Sequence, residues 1–128
     1  MIRVALISLA VLAACAQELQ DEVSQFAPEY LGVEAAALDS DLVQVDLSMR
    51  GARGPADVDR YGACAVAGYA LGQGYGYARH LRTNLDEKGG VWTADAVYTI
   101  SPTLPRGLNT IDAEVMVADC AENGIPTV

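Results

Sequence analysis

The first 14 residues constrain the chain more than any other segment, because they decide how much of it folds. Arg3 gives the segment a positive charge, and residues 4–12 form an apolar run without a charged side chain. A helix needs roughly 20 apolar residues to cross the ~30 Å hydrocarbon core of a bilayer, so this run is too short for a span. The pattern is typical of a secretory signal peptide. We expect residues 1–14 to be removed, which leaves 114 of the 128 residues, enough for one domain.

The residues at the expected cleavage point, Leu12-Ala13-Ala14-Cys15, resemble the lipobox of bacterial lipoproteins. The resemblance implies that the Cys15 thiol carries a diacylglycerol and that the freed amine is acylated; no cofactor other than this covalent lipid is expected. Several acyl chains on one residue anchor a protein almost permanently, since each buried CH₂ contributes about 0.8 kcal/mol. Ala16 rather than Asp follows the cysteine, which in this family implies the outer membrane, facing the periplasm. An ordinary signal peptide, or a core helix that contains Cys15, is the alternative.

The charge balance excludes some classes of partner. The chain has 17 acidic and 8 basic side chains and a formal net charge of −9, which becomes −10 when Arg3 leaves with the signal peptide. Nucleic acids and anionic lipid headgroups are negatively charged, so they are poor partners for the domain. The expected partners are the membrane, through the lipid anchor, and another protein of the cell envelope, but no nucleic acid.

Residues 15–40 read as the lipidated cysteine followed by a tether. The segment is acid-rich, Pro28 and Gly32 interrupt any long helix, and its apolar residues keep no firm period. We expect at most short helical turns here, with the periplasmic domain in residues 41–128. Two readings of the segment stay open: Phe26 and Tyr30, four residues apart, dock on the domain, or the segment is a mobile spacer.

The rest of the chain predicts an α+β domain. Residues 42–49 alternate with the period of a strand that has one buried face, and a helix is expected from Pro55 to about Gln73. Its small residues Ala65, Gly68 and Gly72 indicate close packing against a sheet. Three further alternating segments follow, at residues 77–85, 91–101 and 110–120. The second is expected to place on one face Trp92, Ala94, Ala96, Tyr98 and Ile100, and the third to direct inward Ile111, Ala113, Val115 and Val117. A helical crossover makes the first two strands parallel and hairpins add the others, so we expect two layers, one helix on a four-stranded mixed sheet in the order β-α-β-β-β.

A search for catalytic or metal-binding patterns gives no site. His80 is the single histidine, and the alternation places it with Arg82 on a solvent-facing side of its strand. Asp112 and Glu114 are expected on one face of the last strand, where polar side chains also discourage edge pairing. We therefore assign no catalytic residue and no metal ligand.

The arrangement of lipobox, tether and small domain resembles uncharacterised envelope lipoproteins of Gram-negative bacteria. It implies a non-enzymatic, membrane-anchored periplasmic lipoprotein that binds or scaffolds another envelope component. Two alternatives stay open: a small periplasmic enzyme with an unrecognised site, which predicts a pocket around His80 or the acid pair, and an envelope stress sensor that switches through its cysteines.

The cysteine count gives the first testable prediction. With Cys15 lipidated, Cys64 and Cys120 remain as a pair in an oxidising compartment, and the predicted topology brings both to one end of the domain. A disulfide closing this loop stabilises by roughly 4 kcal/mol in the chain-entropy model. Mass spectrometry of an unreduced digest should show one peptide that links the two residues. Free, alkylatable thiols at both positions would remove the assignment.

Overall fold

The computed structural model describes residues 27–128 of the chain. The signal peptide and the predicted lipid on Cys15 lie outside the described residues and stay predictions. The elements in chain order are β1 (Glu29–Ala37), β2 (Leu42–Arg50), α1 (Pro55–Gly72), β3 (Tyr77–Lys88), β4 (Val91–Ser101), β5 (Thr110–Asp112) and α2 (Ala113–Glu122). In the described part of the chain, none of the helices has the length and apolar character that a membrane crossing requires.

The α+β class is confirmed, but the sheet has five strands rather than four and is antiparallel rather than mixed. The strand order is β1-β2-β4-β3-β5, and every neighbouring pair is antiparallel. Strands β2 and β3, which flank α1, do run in the same direction as the crossover predicts. They do not pair, because β4 folds back from the β3 hairpin and inserts between them.

The prediction of a tether was wrong for Glu29–Ala37, which forms the edge strand β1. Its missing alternation has a local cause: the register with β2 shifts between Tyr30 and Gly32, a β-bulge centred on Leu31. Tyr30 lies on the side of the sheet that faces the helices and contacts the ring of Tyr61 edge-on, with 4.7 Å between centroids. A bulge breaks the two-residue period that identifies strands, and so the sequence pattern concealed this one.

The predicted last strand, residues 110–120, is a strand only as far as Asp112, and the helix α2 follows it. The Asp112 side chain accepts a hydrogen bond from the Val115 backbone N–H (3.2 Å), which caps the helix N-terminus. The side chains packed on the core are spaced as one helical face: Ala113, Met116, Val117 and Cys120. Val115, expected to face inward, is 66% exposed.

Both helices cover the same face of the sheet, and the core lies between these layers. The alternation predicted in β2 is confirmed, since Val43, Val45, Leu47 and Met49 are all at least 95% buried. Their partners on β4 face the same side, as expected: Trp92, Ala94, Ala96 and Tyr98. The opposite face of the sheet has no helix packed on it in the part of the chain that is described.

The structure places the sulfurs of Cys64 on α1 and Cys120 on α2 at disulfide-bonding distance, with 6.0 Å between the Cα atoms. Both residues are fully buried. Arg60, one turn before Cys64, and Asp119, the residue before Cys120, form an ion pair at 2.7 Å. The shorter helix is therefore joined to α1 by a sulfur pair and an adjacent salt bridge.

The row of small residues on α1 was predicted to pack against the sheet, and the structure corrects which glycine does so. A Cβ at Gly62 would lie 2.6 Å from the Tyr98 hydroxyl oxygen and 3.5 Å from Leu47. A Cβ at Gly68 would instead meet the backbone oxygen of Val128, at the chain's C-terminus, and one at Gly72 would meet nothing within 4 Å. The close approach of helix and sheet therefore occurs at Gly62.

This contrast generates a stability prediction. Gly62→Ala forces either α1 or the buried Tyr98 to move, and we expect a loss of about 1–3 kcal/mol in the free energy of unfolding. Gly72→Ala serves as the matched control, because there the added methyl enters open space and alanine favours the helix by up to about 1 kcal/mol. Urea denaturation of both variants measures the two effects. A Gly62→Ala protein as stable as Gly72→Ala would contradict the proposed contact.

Candidate functional site

The position of His80 depends on an irregularity in β3. The register between β3 and β4 shifts between His80 and Arg82, which makes Leu81 the extra residue of a β-bulge. His80 and Thr83 consequently face the same side, the side that carries the helices, and the His80 Nε2 lies 2.6 Å from the Thr83 Oγ1. The prediction that His80 faces solvent together with Arg82 was wrong, because the bulge reverses the alternation between them.

His80 lines a cleft of about 240 Å³ between α1 and the side of the sheet formed by β4, β3 and β5. The cleft has both polar and apolar walls. Its lining residues are Asp59 and Ala63 from α1, His80 from β3, Tyr98 from β4, Asn109 from the loop before β5, and Thr110 and Ile111 from β5.

Tyr98 is the deepest polar side chain of this cleft and is 98% buried. Its ring meets the His80 ring edge-on, with 5.2 Å between centroids. Burial disfavours the phenolate and the negative charge of Asp59 disfavours it further, so the pKa of Tyr98 is raised well above its ordinary value. The phenol is therefore protonated over the whole physiological range of pH.

The loop that closes the cleft is fixed by backbone geometry. Asn109 has a φ of +60°, a left-handed conformation that asparagine tolerates better than most residues. Its carbonyl oxygen accepts a hydrogen bond from the His80 backbone N–H at 3.1 Å. At Gly107, which has a φ of +111°, the Arg79 guanidinium packs so closely that a Cβ would lie 3.3 Å from it. Two neighbouring residues of β3, Arg79 and His80, thus hold the loop in place.

The charge at the cleft is negative. Asp59 is its single carboxylate, lies exposed at the rim, and takes part in no ion pair within residues 27–128. No lysine or arginine lines the cleft. An anionic ligand would meet an uncompensated carboxylate, whereas a cationic ligand would find a partner.

The second acidic feature considered from the sequence does not form a site. Asp112 caps α2, and Glu114 lies in the first turn of that helix, where acidic side chains interact favourably with the helix dipole. Neither residue lines the His80 cleft. Residues 27–128 hold no group of three or more His, Cys, Asp or Glu side chains placed to bind a metal ion.

A second cleft, of about 410 Å³, lies where β1, α1 and the turn after α2 meet. Its cations are already paired: Arg60 with Asp119, and Arg53 with Asp57 through two side-chain hydrogen bonds of 2.9 and 3.1 Å. The Asp57 carboxylate also accepts the Arg53 backbone N–H at 2.8 Å. These contacts attach the loop before α1 to the first turn of that helix. The charged residues of this cleft therefore have a structural role, and we do not treat it as a ligand site.

The sequence did not identify Asp59 or Asn109 as site residues. Asp59 reads as one of two acids in the first turns of a helix, and Asn109 reads as a loop residue. The one local signal was the position of Asn109 after Gly107 in a proline-rich connector, because Gly and Asn are the residues that adopt positive φ. That signal predicts a turn and says nothing about what the turn faces.

Comparisons with known proteins give a family. Residues 30–124 match the family described as the YNQ4 C-terminal domain. A relative from Paracoccus denitrificans, described as an uncharacterized 26.9 kDa protein in the nqo8 5′ region, is 33% identical over 104 residues. The matched region covers 77% of this chain and 41% of the relative, so the chain spans less than half of that protein's length. No solved structure is significantly similar to the chain.

The Arg53–Asp57 contact generates a prediction for acid stability. The hydrogen bond from Arg53 lowers the pKa of the mostly buried Asp57 carboxyl, so its contribution is complete above the unfolded-state pKa and is lost as pH falls through the folded-state pKa. Asp57→Asn should cost about 1 kcal/mol near neutral pH, because the guanidinium is solvent-exposed. That cost should shrink towards zero below pH of about 4.

Denaturant unfolding at pH 7, 5 and 3 tests this pH dependence. Asp41→Asn is the control, since the exposed Asp41 side chain makes no hydrogen bond or ion pair within the described range of 27–128. A loss for Asp57→Asn that is the same at all three pH values would show that the contact does not stabilise through the carboxylate's charge.

Proposed function

The chain belongs to the YNQ4 C-terminal domain family, and on that premise we propose that it is a lipid-anchored domain of the bacterial cell envelope. In this proposal Cys15 carries the lipid, and residues 27–128 form the periplasmic body, which binds another component and catalyses no reaction. The longer relative contributes no activity or partner to this assignment.

The distribution of the three cysteines carries the proposal. Cys15 follows an apolar leader in a lipobox-like sequence, and the other two cysteines lie buried at disulfide-bonding distance. Small domains gain most from a disulfide where the compartment is oxidising, and cytosolic proteins rarely keep one. A lipidation sequence and a cysteine pair each favour export, and together they leave no thiol unassigned.

The enzyme alternative predicts a pocket around His80, and the structure has a cleft there, but the chemistry of that cleft favours binding over catalysis. The Thr110 hydroxyl, which lines the cleft, donates a hydrogen bond to the Gly107 carbonyl (3.4 Å). One ring nitrogen of His80 is engaged by Thr83, and the Tyr98 phenol is held protonated. Nucleophilic catalysis needs a nucleophile beside a base. The hydroxyl within hydrogen-bonding reach of His80 is that of Thr83, and Thr83 is not among the residues that line the cleft.

The burial of Cys64 and Cys120 also favours a structural rather than a sensing role for the pair. Both side chains have no solvent exposure. Sensor cysteines need access to the oxidant or to a partner thiol. A pair that joins α2 to α1 inside the core instead supplements the side-chain packing and the Arg60–Asp119 ion pair between the two helices.

Metabolic labelling tests the anchor. Cells that express the full chain and receive radiolabelled palmitate should produce a labelled protein whose mature N-terminus is residue 15. Cys15→Ser should abolish the label, because it removes the acceptor thiol, whereas Cys64→Ser should keep it. An unlabelled wild-type protein, or a mature form that begins at another residue, would refute the anchor.

A further inference from the structure

We propose that the His80 cleft binds a small hydroxylated organic cation, of which an amino alcohol is the simplest example. This inference rests on the binding role proposed above and names the chemistry of the ligand. Three parts of the cleft correspond to three parts of such a molecule: an exposed carboxylate, an apolar wall, and uncharged polar side chains.

The carboxylate is the reason for a positive charge on the ligand. Asp59 lies at the rim, makes no ion pair within residues 27–128, and no cationic side chain lines the cleft with it. An ammonium group there gains a charge-assisted hydrogen bond that water alone does not replace. The net negative charge of the whole chain also raises the local concentration of small cations.

The uncharged polar side chains of the cleft are the reason for expecting a hydroxyl group on the ligand. Nε2 of His80 is engaged by Thr83, whereas Nδ1 makes no hydrogen bond within the described residues and is the ring nitrogen available to a ligand. Asn109, an exposed residue that also lines the cleft, carries an amide. A hydroxyl both donates and accepts, so it matches an imidazole nitrogen and an amide without requiring a particular tautomer of His80.

The size and the walls limit the ligand further. Ala63 and Ile111 provide the apolar surface, which suits one or two methylene groups. The volume of about 240 Å³ lies below the roughly 300–1,000 Å³ of sites for drug-sized molecules. A sugar oligomer, a peptide or a nucleotide would exceed this space, and the last of these also carries the wrong charge.

The site is preformed, which makes binding by a small molecule efficient. The absence of a Cβ at Gly62 lets Tyr98 reach the helix backbone, the bulge at Leu81 turns His80 inward, and the left-handed backbone of Asn109 closes the loop. Strained backbone that persists near a cleft is frequently associated with function. A ligand of few atoms binds measurably only where its groups meet partners already in place.

Because His80 is the chain's single histidine, its imidazole signals give an unambiguous probe of the cleft. We expect ethanolamine, added to the full chain at constant pH and ionic strength, to shift the His80 ring resonances in NMR spectra with saturation in the millimolar range. Acetate and glycerol at equal concentration serve as the anionic and neutral probes, and they should give shifts at least fivefold smaller.

Two variants test whether Asp59 contributes to ethanolamine binding. Asp59→Asn should weaken ethanolamine binding at least fivefold while the spectrum stays that of a folded protein, because it removes the charge and keeps the shape. Asp46→Asn is the control: it removes an exposed carboxylate on the opposite face of the sheet and should leave binding unchanged. Non-saturating shifts, equal responses to all three probes, or equal effects of the two substitutions would overturn the proposal.

This experiment and the labelling experiment fail independently. Loss of the ethanolamine response removes the ligand and leaves the lipid anchor untouched. Absence of palmitate removes the anchor and leaves the chemistry of the cleft as measured.

Discussion

The contact between Gly62 of α1 and Tyr98 of β4 is the constraint on which both the core and the cleft depend. The missing side chain allows the phenol to extend fully under the helix, so that its hydroxyl oxygen lies 2.6 Å from where a Cβ would stand. This brings α1 close to the sheet and permits the dense packing of a core made largely of alanine and valine. It also places the Asp59 and Ala63 side of α1 over the rings of Tyr98 and His80, which creates the cleft.

Two β-bulges determine which side chains of the edge strand β1 and of β3 face the helices. The bulge at Leu31 keeps Tyr30 directed at the core on the edge strand, and the bulge at Leu81 directs both His80 and Thr83 towards the helices. Each inserts one residue and reverses every side chain beyond it. In a regular strand residues 80 and 83 would face opposite sides of the sheet, and Nε2 of His80 would lack the partner that holds the ring.

The sequence pattern predicted the regular parts of the fold, and local irregularity explains where it failed. Unbroken periods identified β2, the buried face of β4 and the helix α1 to within about one residue. The pattern missed β1 because a bulge interrupts it, and it extended β5 to residue 120 because 111, 113, 115 and 117 happen to alternate. The same segment also fits a helical period, and the contacts with the rest of the fold select the helix. Its core-facing residues are Ala113, Met116, Val117 and Cys120.

The candidate site was less predictable than the fold for a related reason. His80 was visible as the single histidine, but the side of the sheet that it faces depends on a bulge with no residue signature of its own. Asp59 and Asn109 come from segments 50 residues apart, and they meet because β4 inserts between β2 and β3 and so moves β3 and β5 to the far edge of the sheet. The residues of this cleft are brought together by the order of the strands in the sheet. Local periodicity predicts single strands and helices, but it does not predict that order.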